Sequence, residues 1–284
     1  MLNKILYGIL TGFSKLPFRV LYIVSDFMYY VFYYVIPYRK RLVYKNLKAS
    51  FPEKSPSEIR VIAKRFYRHL SDIMVETLKL HSISEKELSE RLNVPEIDDI
   101  KENYKKGIQF IAATGHYGNW EWFAATPLLL PYAVTTLYKP LHSKFMDSFL
   151  AHTRSRFGVD IVPANEAVRD VSARIKSGKL TMMGFIADQS PKRSMIQYRT
   201  TFLNQDTPVF LGIEKIATKY SIGVAFAWLE KKARGYYDVR VKFLTEDAST
   251  LTGHEVTDLY LKSIEEVIRE KPEYWLWTHK RWKY

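Results

Sequence analysis

One short segment carries two side chains that are suited to acid–base catalysis. Residues 113–122 read ATGHYGNWEW, which places Glu121 five positions after His116. A histidine can take up and return a proton near neutral pH, and a carboxylate beside its ring would fix the tautomer and stabilise the imidazolium. With a turn between the two residues, we expect His116 to act as a general base that is oriented by Glu121. The same pair also fits a helix-capping histidine followed by a solvated acid.

The segment lies where a predicted strand gives way to a predicted helix. Residues 107–113 form a short apolar run, and residues 119–130 have a helical pattern. Open α/β sheets place ligand sites at such strand ends. Gly115 and Gly118 permit a tight turn and close approach of a substrate to the backbone. The amide groups that open the helix would favour an anionic intermediate or a phosphate.

Strands and helices alternate along most of the remaining chain. A helical pattern covers residues 55–100. Further strands are predicted at 133–138, 159–162, 180–187, 223–230 and 236–244, and further helices at 143–156, 164–176, 210–219 and 255–269. This alternation predicts an α/β fold with a mainly parallel sheet that is flanked by helices on both faces.

The first 37 residues differ from the rest of the chain. Residues 18–36 read FRVLYIVSDFMYYVFYYVI, which is about the length of a membrane-spanning helix. Arg19, Asp26 and five tyrosines interrupt the apolar run, so an anchor lying in the membrane interface fits as well as a span. A buried helical hairpin in a soluble protein is the third possibility. We predict a membrane anchor over residues 1–37 and a catalytic domain over residues 38–284.

Charge and composition narrow the classes of function. The net charge is +13, which favours anionic partners, and the basic cluster at residues 38–41 predicts a cytoplasmic flank. The chain contains no cysteine, which excludes disulfides and cysteine nucleophiles. The sequence lacks a G-x-S-x-G elbow, a P-loop and a G-x-G-x-x-G fingerprint. The histidines have no ligand-like spacing, so no metal is predicted.

Five blocks resemble, in order, the late acyltransferases of lipid A biosynthesis (the lauroyl/myristoyl transferase family). These belong with the glycerolipid acyltransferases that share an H-x4-D/E motif. The blocks are RLVYKNL at 41–47 with Phe51-Pro52, GHYGNWE at 115–121, YKPL at 138–141 with Arg154, Arg156 and Gly158, ADQ at 187–189, and WLWTHKRWK at 275–283. The resemblance covers nearly the whole chain, and the combination is far more specific than any single block.

The resemblance implies a glycerolipid-acyltransferase-like fold and transfer of a fatty acyl chain to a hydroxyl of a lipid A precursor. The enzyme would work at the inner membrane, with its catalytic domain on the cytoplasmic face. His116 would take the acceptor proton and Glu121 would orient it. The other substrate-binding or supporting residues would be Asn119, Arg154, Asp188 and Gln189, with Arg154 contacting a phosphate or the tetrahedral oxyanion.

The implied partners are acyl carrier protein and a phosphorylated glycolipid acceptor, with no nucleic acid. No cofactor is expected, because the acyl thioester of the carrier protein or of CoA serves as co-substrate. Acyl carrier protein is acidic, so basic residues are candidates for docking it or the glycolipid. These candidates are Arg154, Arg156, Lys192, Arg193, Arg199, Lys280 and Arg281.

Some positions depart from the family pattern in regions that should contact substrate. Lys139 replaces the commoner arginine, and the stretch at 188–191 reads DQSP, without the acid that often follows the glutamine. Residues 194–204 also differ from the usual text. An acyltransferase for another membrane lipid, such as an aminolipid or a glycosylated phospholipid, therefore remains an alternative. A basic binding protein without catalysis is the alternative from a different class.

Overall fold

The structure, a computed structural model, describes residues 2–284. Its centre is a seven-stranded sheet with the strand order β1-β9-β8-β2-β5-β3-β4, and β6 and β7 form a separate two-stranded ribbon. The strands are β1 Leu92–Asn93, β2 Phe110–Thr114, β3 Ala133–Tyr138, β4 Asp160–Pro163, β5 Thr181–Ile186, β6 Tyr198–Phe202, β7 Gln205–Val209, β8 Gly223–Ala233 and β9 Tyr236–Thr245. The ribbon was not predicted from the sequence.

The middle of the sheet is parallel. Strand β2 lies between β5 and β8 and runs parallel to both, and β3 and β4 continue the parallel run. Within the seven-stranded sheet of the described residues, only β8 and β9 pair antiparallel. The predicted α/β fold with a mainly parallel sheet is therefore confirmed, and β2 is its central strand.

Helices cover both faces of the sheet, and the residues of its central strand β2 are buried on both faces. All five residues of β2 are buried, which is the pattern of a strand covered on both sides. Phe110 and Ala112 belong to one hydrophobic core, and Ile111 and Ala113 belong to the core on the opposite face. Because side chains alternate along a strand, one five-residue segment holds both cores together.

Ten α-helices occur within the described residues. They are α1 Leu2–Ser14, α2 Phe18–Tyr30, α3 Lys40–Ser50, α4 Pro56–Leu80, α5 Glu85–Ser89, α6 Ile97–Lys105, α7 Lys144–Ser155, α8 Ala167–Ser177, α9 Gly212–Tyr220 and α10 Glu255–Glu270. The helical pattern at 55–100 thus contains three helices and the short strand β1. Ser55 and Glu58 form a capping box that begins α4. The helix predicted at 119–130 is instead a 3-10 helix, Trp120–Leu128, which contains Pro127.

The N-terminal segment folds as two helices. A short π-helical turn, Val31–Val35, extends α2. Leu21 and Tyr29 on α2 are buried, whereas Ile23 and Phe27 are 69% and 68% exposed, so this helix presents an apolar face outward. No single described helix is both long and apolar enough to cross a membrane; Phe18–Val35 and Lys40–Ser50 meet that test only as a pair bent by 86°.

Polar bonds connect α2 to the rest of the molecule. Tyr22 donates a hydrogen bond to Glu76 at 2.9 Å, and Ser25 donates to Asp72 at 2.7 Å. The acceptors lie on α4 and are both buried. Arg234, from the hairpin between β8 and β9, bonds to Asp72 as well. The first residues are therefore packed onto the body through buried hydrogen bonds as well as apolar contacts.

Candidate active site

The central parallel pair of strands brings His116 next to Asp188. Thr114, the last residue of β2, pairs with Ile186, the last residue of β5. His116 and Asp188 each come two residues after these strand ends, so both lie at the carboxyl edge of the sheet. Adjacent parallel strands place their ligand-binding residues at this edge.

Asp188 contacts His116 at two points. The backbone N–H of His116 donates to Oδ2 at 2.8 Å, and ring Nδ1 lies 2.7 Å from Oδ1. The indole N–H of Trp275 also donates to Oδ2 at 2.8 Å. These hydrogen bonds fix the position of the carboxylate, and the carboxylate in turn fixes the plane of the imidazole.

The charges of this pair determine which ring nitrogen carries the proton. Burial alone would raise the pKa of Asp188, but the charge of His116 and the hydrogen bonds to the carboxylate lower it below its usual value. An ionised carboxylate can only accept, so Nδ1 of His116 is the protonated nitrogen that donates to it. The neutral imidazole therefore keeps its lone pair on Nε2, which is the nitrogen available to a substrate.

Asp188 also raises the basicity of the ring. Burial would lower the pKa of His116, but the carboxylate of Asp188 and the nearby Glu121 raise it above its ordinary value. The side chain retains 18% of its exposure, so a substrate can reach it. These properties suit a general base that accepts a proton from an incoming hydroxyl.

The contact that the sequence assigned to Glu121 is made by Asp188. Glu121 bonds instead to Arg154, whose Nε and Nη2 donate to its two oxygens at 2.7 Å each. The reason lies in the backbone, because residues after Asn119 form a 3-10 helix that carries Glu121 toward α7, where Arg154 lies. The expectation that Glu121 orients the His116 ring is therefore wrong for this structure. Glu121 acts on the ring only through its charge.

Two further side chains border the imidazole. The side-chain amide nitrogen of Gln189, a predicted supporting residue, lies 3.1 Å from Nε2 of His116. The ring of Trp120 packs edge-on against the imidazole at 5.0 Å between centroids. The indole of Trp120 also donates to Glu121 at 3.2 Å. Trp120 was not among the predicted site residues, although it lies within the same sequence block.

The two glycines of the turn have different roles. A side chain at Gly115 would meet Ile264 at 2.3 Å and Asp188 at 3.1 Å, so the absence of a Cβ lets the turn approach the carboxylate. Gly118 has a φ of +62°, and a Cβ there would lie 2.0 Å from the carbonyl oxygen of Leu229. Only glycine fits both this conformation and this space.

A buried polar cluster supports the turn from below. Asn119 is fully buried and donates to Glu76 at 2.6 Å, so it holds the backbone and does not face the substrate. Tyr237 donates to the same carboxyl group at 2.7 Å. Burial lowers the pKa of His69 to about 3, and this neutral ring bonds to the carbonyl of Gly118 at 3.1 Å.

The C-terminal segment completes the site. Besides Trp275, which bonds to Asp188, the N–H of Leu276 donates to the carbonyl of His116 at 3.1 Å. The carbonyl of Tyr274 accepts from Gly118 at 3.0 Å. The sequence block at 275–283 had suggested the family but no role for these residues. Only the fold shows that this block packs against the turn at residues 115–118.

The basic residues that were candidates for docking a partner differ in their exposure and in their contacts within the chain. Lys192, Arg193 and Lys280 are exposed. Arg281 is 1% exposed and donates to the carbonyl of Pro208, so it cannot dock a macromolecule, and that prediction is wrong. The other three are engaged within the chain. Arg154 binds Glu121, Arg156 binds the carbonyls of Leu80 and Ile83, and Arg199 binds Asp206.

An α/β fold with a histidine–carboxylate pair at the carboxyl edge of its central strands defines a candidate acid–base enzyme. The profile of the family described as bacterial lipid A biosynthesis acyltransferase matches residues 2–284. The chain therefore belongs to this family and is an acyltransferase, which implies an acyl donor and a lipid acceptor. No curated protein sequence matches it closely enough to count as a relative. Within residues 2–284, no group of three or more His, Asp or Glu side chains could hold a metal ion.

Proposed function

We propose that this acyltransferase moves a fatty acyl chain from an acyl thioester to a hydroxyl of a lipid A precursor. His116 is the general base, and Asp188 is the residue that orients it. The observation that carries this proposal is the pair of contacts from Asp188 to His116, which leaves Nε2 as the accepting nitrogen. The Gln189 amide at 3.1 Å marks where a donor group such as the acceptor hydroxyl would approach Nε2.

The transfer proceeds directly between the two substrates. The acceptor oxygen attacks the thioester carbonyl while its proton passes to Nε2 of His116. The tetrahedral oxyanion then collapses, the carbon–sulfur bond breaks, and the imidazolium returns the proton to the leaving thiolate. The negative charge of Asp188 stabilises the imidazolium throughout, which is the part that an orienting carboxylate plays in general-base catalysis.

Arg154 and Glu121 form the second charged pair of the site. Their two parallel hydrogen bonds hold the guanidinium in a fixed plane beside the catalytic turn. Arg154 keeps 27% of its side chain exposed, so one edge can still contact a substrate. We assign it to the oxyanion or to a phosphate, with Glu121 as the residue that positions it.

The protein works at the inner membrane, with the catalytic domain on the cytoplasmic face and acyl carrier protein as donor. The support comes from the surface of α1 and α2, where large apolar side chains are exposed although the helices pack on the body. Those more than 45% exposed are Ile5, Ile9, Ile23, Phe27, Tyr30, Tyr34, Val35 and Ile36. Such a face suits insertion at a lipid interface, and the exposed Lys192 and Arg193 suit an acidic donor.

The test uses purified protein, a lipid A precursor and a radiolabelled acyl donor. The label should reach the lipid, and mass spectrometry should show one added ester. Donor alone should leave the denatured protein unlabelled, because direct attack forms no acyl-enzyme. Stoichiometric labelling of a serine, threonine or histidine would contradict the mechanism. Transfer to other lipids but not to the lipid A precursor would contradict the assigned acceptor.

A further inference from the structure

A groove opens beside the reactive nitrogen of His116. Its volume is about 740 Å³, which is in the range of small-molecule sites. Gln189, Leu276 and His279 are among the residues that line it. Gln189 contacts Nε2 of His116, and Leu276 bonds to the His116 carbonyl. A molecule in the groove would therefore lie within reach of the catalytic base.

One wall of the groove is apolar. Phe32 follows α2, and Leu70 and Met74 lie one turn apart on α4. Met74 is 45% exposed, although it lies on a helix whose other face is the hydrophobic core. Val35 and Ile36, which follow Phe32 in the chain, are 71% and 63% exposed. The apolar lining of the groove and the exposed apolar face of the N-terminal helices are therefore neighbours along the chain, since Phe32 lines the groove and Val35 and Ile36 follow it.

The groove also has basic lining residues, which form what we call its basic rim. Arg39, Lys280 and Lys283 border the groove, all three are exposed, and no acidic residue lines it. None of the three forms an ion pair with a carboxylate of the described residues. Three unpaired cations beside an apolar wall are complementary to a molecule with an anionic head and a hydrocarbon tail.

The backbone holds one of these cations in place. Arg39 has a φ of 50°, a left-handed conformation that is unfavourable for a residue with a side chain. Its Nη1 donates to the carbonyl of Thr278 at 2.9 Å, which joins the turn after α2 to the C-terminal segment. The contact ties the guanidinium to Thr278, which also lines the groove.

We infer that this groove binds the acceptor as an anionic amphiphile, with its phosphate or carboxylate at Arg39, Lys280 and Lys283 and its tail along Phe32, Leu70 and Met74. The inference rests on the proposed function, since it assigns the acceptor to this side of His116. It also requires that the protein recognise both the anionic head and the hydrocarbon tail of the acceptor.

Binding of dodecyl phosphate below its micelle concentration tests the groove directly. Inorganic phosphate supplies the head alone, and dodecyl maltoside supplies an uncharged head with the same tail. Dodecyl phosphate should bind at least about 10-fold more tightly than either, because only it satisfies both walls. Equal affinity for inorganic phosphate would indicate a free-anion site, and equal affinity for dodecyl maltoside would show that the basic rim contributes nothing. Either result would overturn the inference.

Two variants with matched controls locate the binding. Lys280→Gln/Lys283→Gln should weaken dodecyl phosphate binding roughly 10-fold. Lys219→Gln/Lys262→Gln removes the same charge from exposed positions elsewhere and should leave binding unchanged. Met74→Glu should also weaken binding, whereas Val61→Glu, at a 48% exposed position of the same helix, should not. Equal effects of the test and control variants would place the binding elsewhere.

The catalytic variant separates this inference from the proposed reaction. His116→Ala should bind dodecyl phosphate as the unmodified protein does, because the probe contacts the rim and the apolar wall. If acyl transfer to a lipid A precursor fails while the test and control variants change dodecyl phosphate binding as expected, the assigned reaction is wrong but the groove is still a binding site for an anionic amphiphile. If transfer succeeds but the rim variants change neither binding nor the KM for the acceptor, the groove is wrongly assigned.

Discussion

Asp188 holds His116 by both its backbone and its ring, with one carboxylate oxygen on the N–H at 2.8 Å and the other near Nδ1 at 2.7 Å. This one side chain thus holds both the turn and the tautomer of the imidazole. The basicity of His116 therefore depends on a residue outside the H-x4-E block.

Removal of the base should nearly abolish transfer. His116→Ala is expected to lower kcat/KM by about 10²–10⁴-fold, the usual contribution of a general base. The exposed His142 provides the control, and His142→Ala should retain full activity. Steady-state kinetics with labelled donor would measure both, and retention of more than about a tenth of activity by His116→Ala would refute its assignment.

The pH profile should report the influence of Asp188. The pKa of His116 is raised above its ordinary value, so the neutral, active base forms only as the pH rises past that raised value. Asp188→Asn removes the charge that favours the imidazolium, so the rising limb of kcat/KM should move to lower pH while the maximal rate falls about 10-fold or more. If the rising limb of the kcat/KM profile of Asp188→Asn stays at the same pH, Asp188 does not affect the pKa of His116.

The Arg154–Glu121 pair should behave as one unit. Arg154→Gln and Glu121→Gln should each reduce activity and lower the free energy of unfolding by about 1–3 kcal/mol, because each leaves a charged partner without its hydrogen bonds. The double variant should be little worse than either single one. If Glu121 instead orients His116, Glu121→Gln should lose far more activity than Arg154→Gln, and the two losses should add.

Gly118 should not tolerate a side chain. Gly118→Ala combines a φ of +62° with a Cβ placed 2.0 Å from a carbonyl oxygen, so the free energy of unfolding should fall by about 2 kcal/mol or more. Gly12→Ala is the control, because that glycine lies in α1 with open space around it. It should be neutral or stabilise by up to about 1 kcal/mol. Urea denaturation would measure both changes.

Membrane binding should depend on the outer face of α2. Ile23→Glu/Phe27→Glu should weaken binding to anionic lipid vesicles by about 10-fold or more, since both side chains are exposed and apolar. Val168→Glu changes a 49% exposed position on α8 and should have little effect. Deletion of residues 1–37 is a poorer test, because it would leave the buried Glu76 and Asp72 without Tyr22 and Ser25. Unchanged sedimentation of the double variant would exclude this face as the contact.

Periodicity predicted the parallel sheet because its strands are short apolar runs between recognisable helices. It did not resolve the N-terminal segment, since one apolar stretch fits a spanning helix and an amphipathic helix equally well. The structure packs this stretch onto the body through Tyr22 and Ser25, whose hydrogen-bond partners lie 54 and 47 residues away. Such distant pairs leave no local pattern.

The structure brings together five residues that the sequence named for the site, but the contacts among them differ from the predicted ones. His116, Glu121, Arg154, Asp188 and Gln189 do come together, yet Asp188 rather than Glu121 meets the ring. A signal for this existed, because His116 and Asp188 each follow a predicted apolar strand closely. To use this signal, one must know that the two strands are neighbours in the sheet. That depends on tertiary packing between residues 72 positions apart.

The contribution of Trp275 to the site also has a consequence for biosynthesis. Trp275 follows Asp188 by 87 residues, so a ribosome adding about 5–20 residues per second needs roughly 4–17 s to reach it. During that interval the nascent chain lacks the indole that holds the carboxylate and the backbone partners that hold the turn. The arrangement of Asp188 and the turn described above can therefore form only after the C-terminal block has been synthesised.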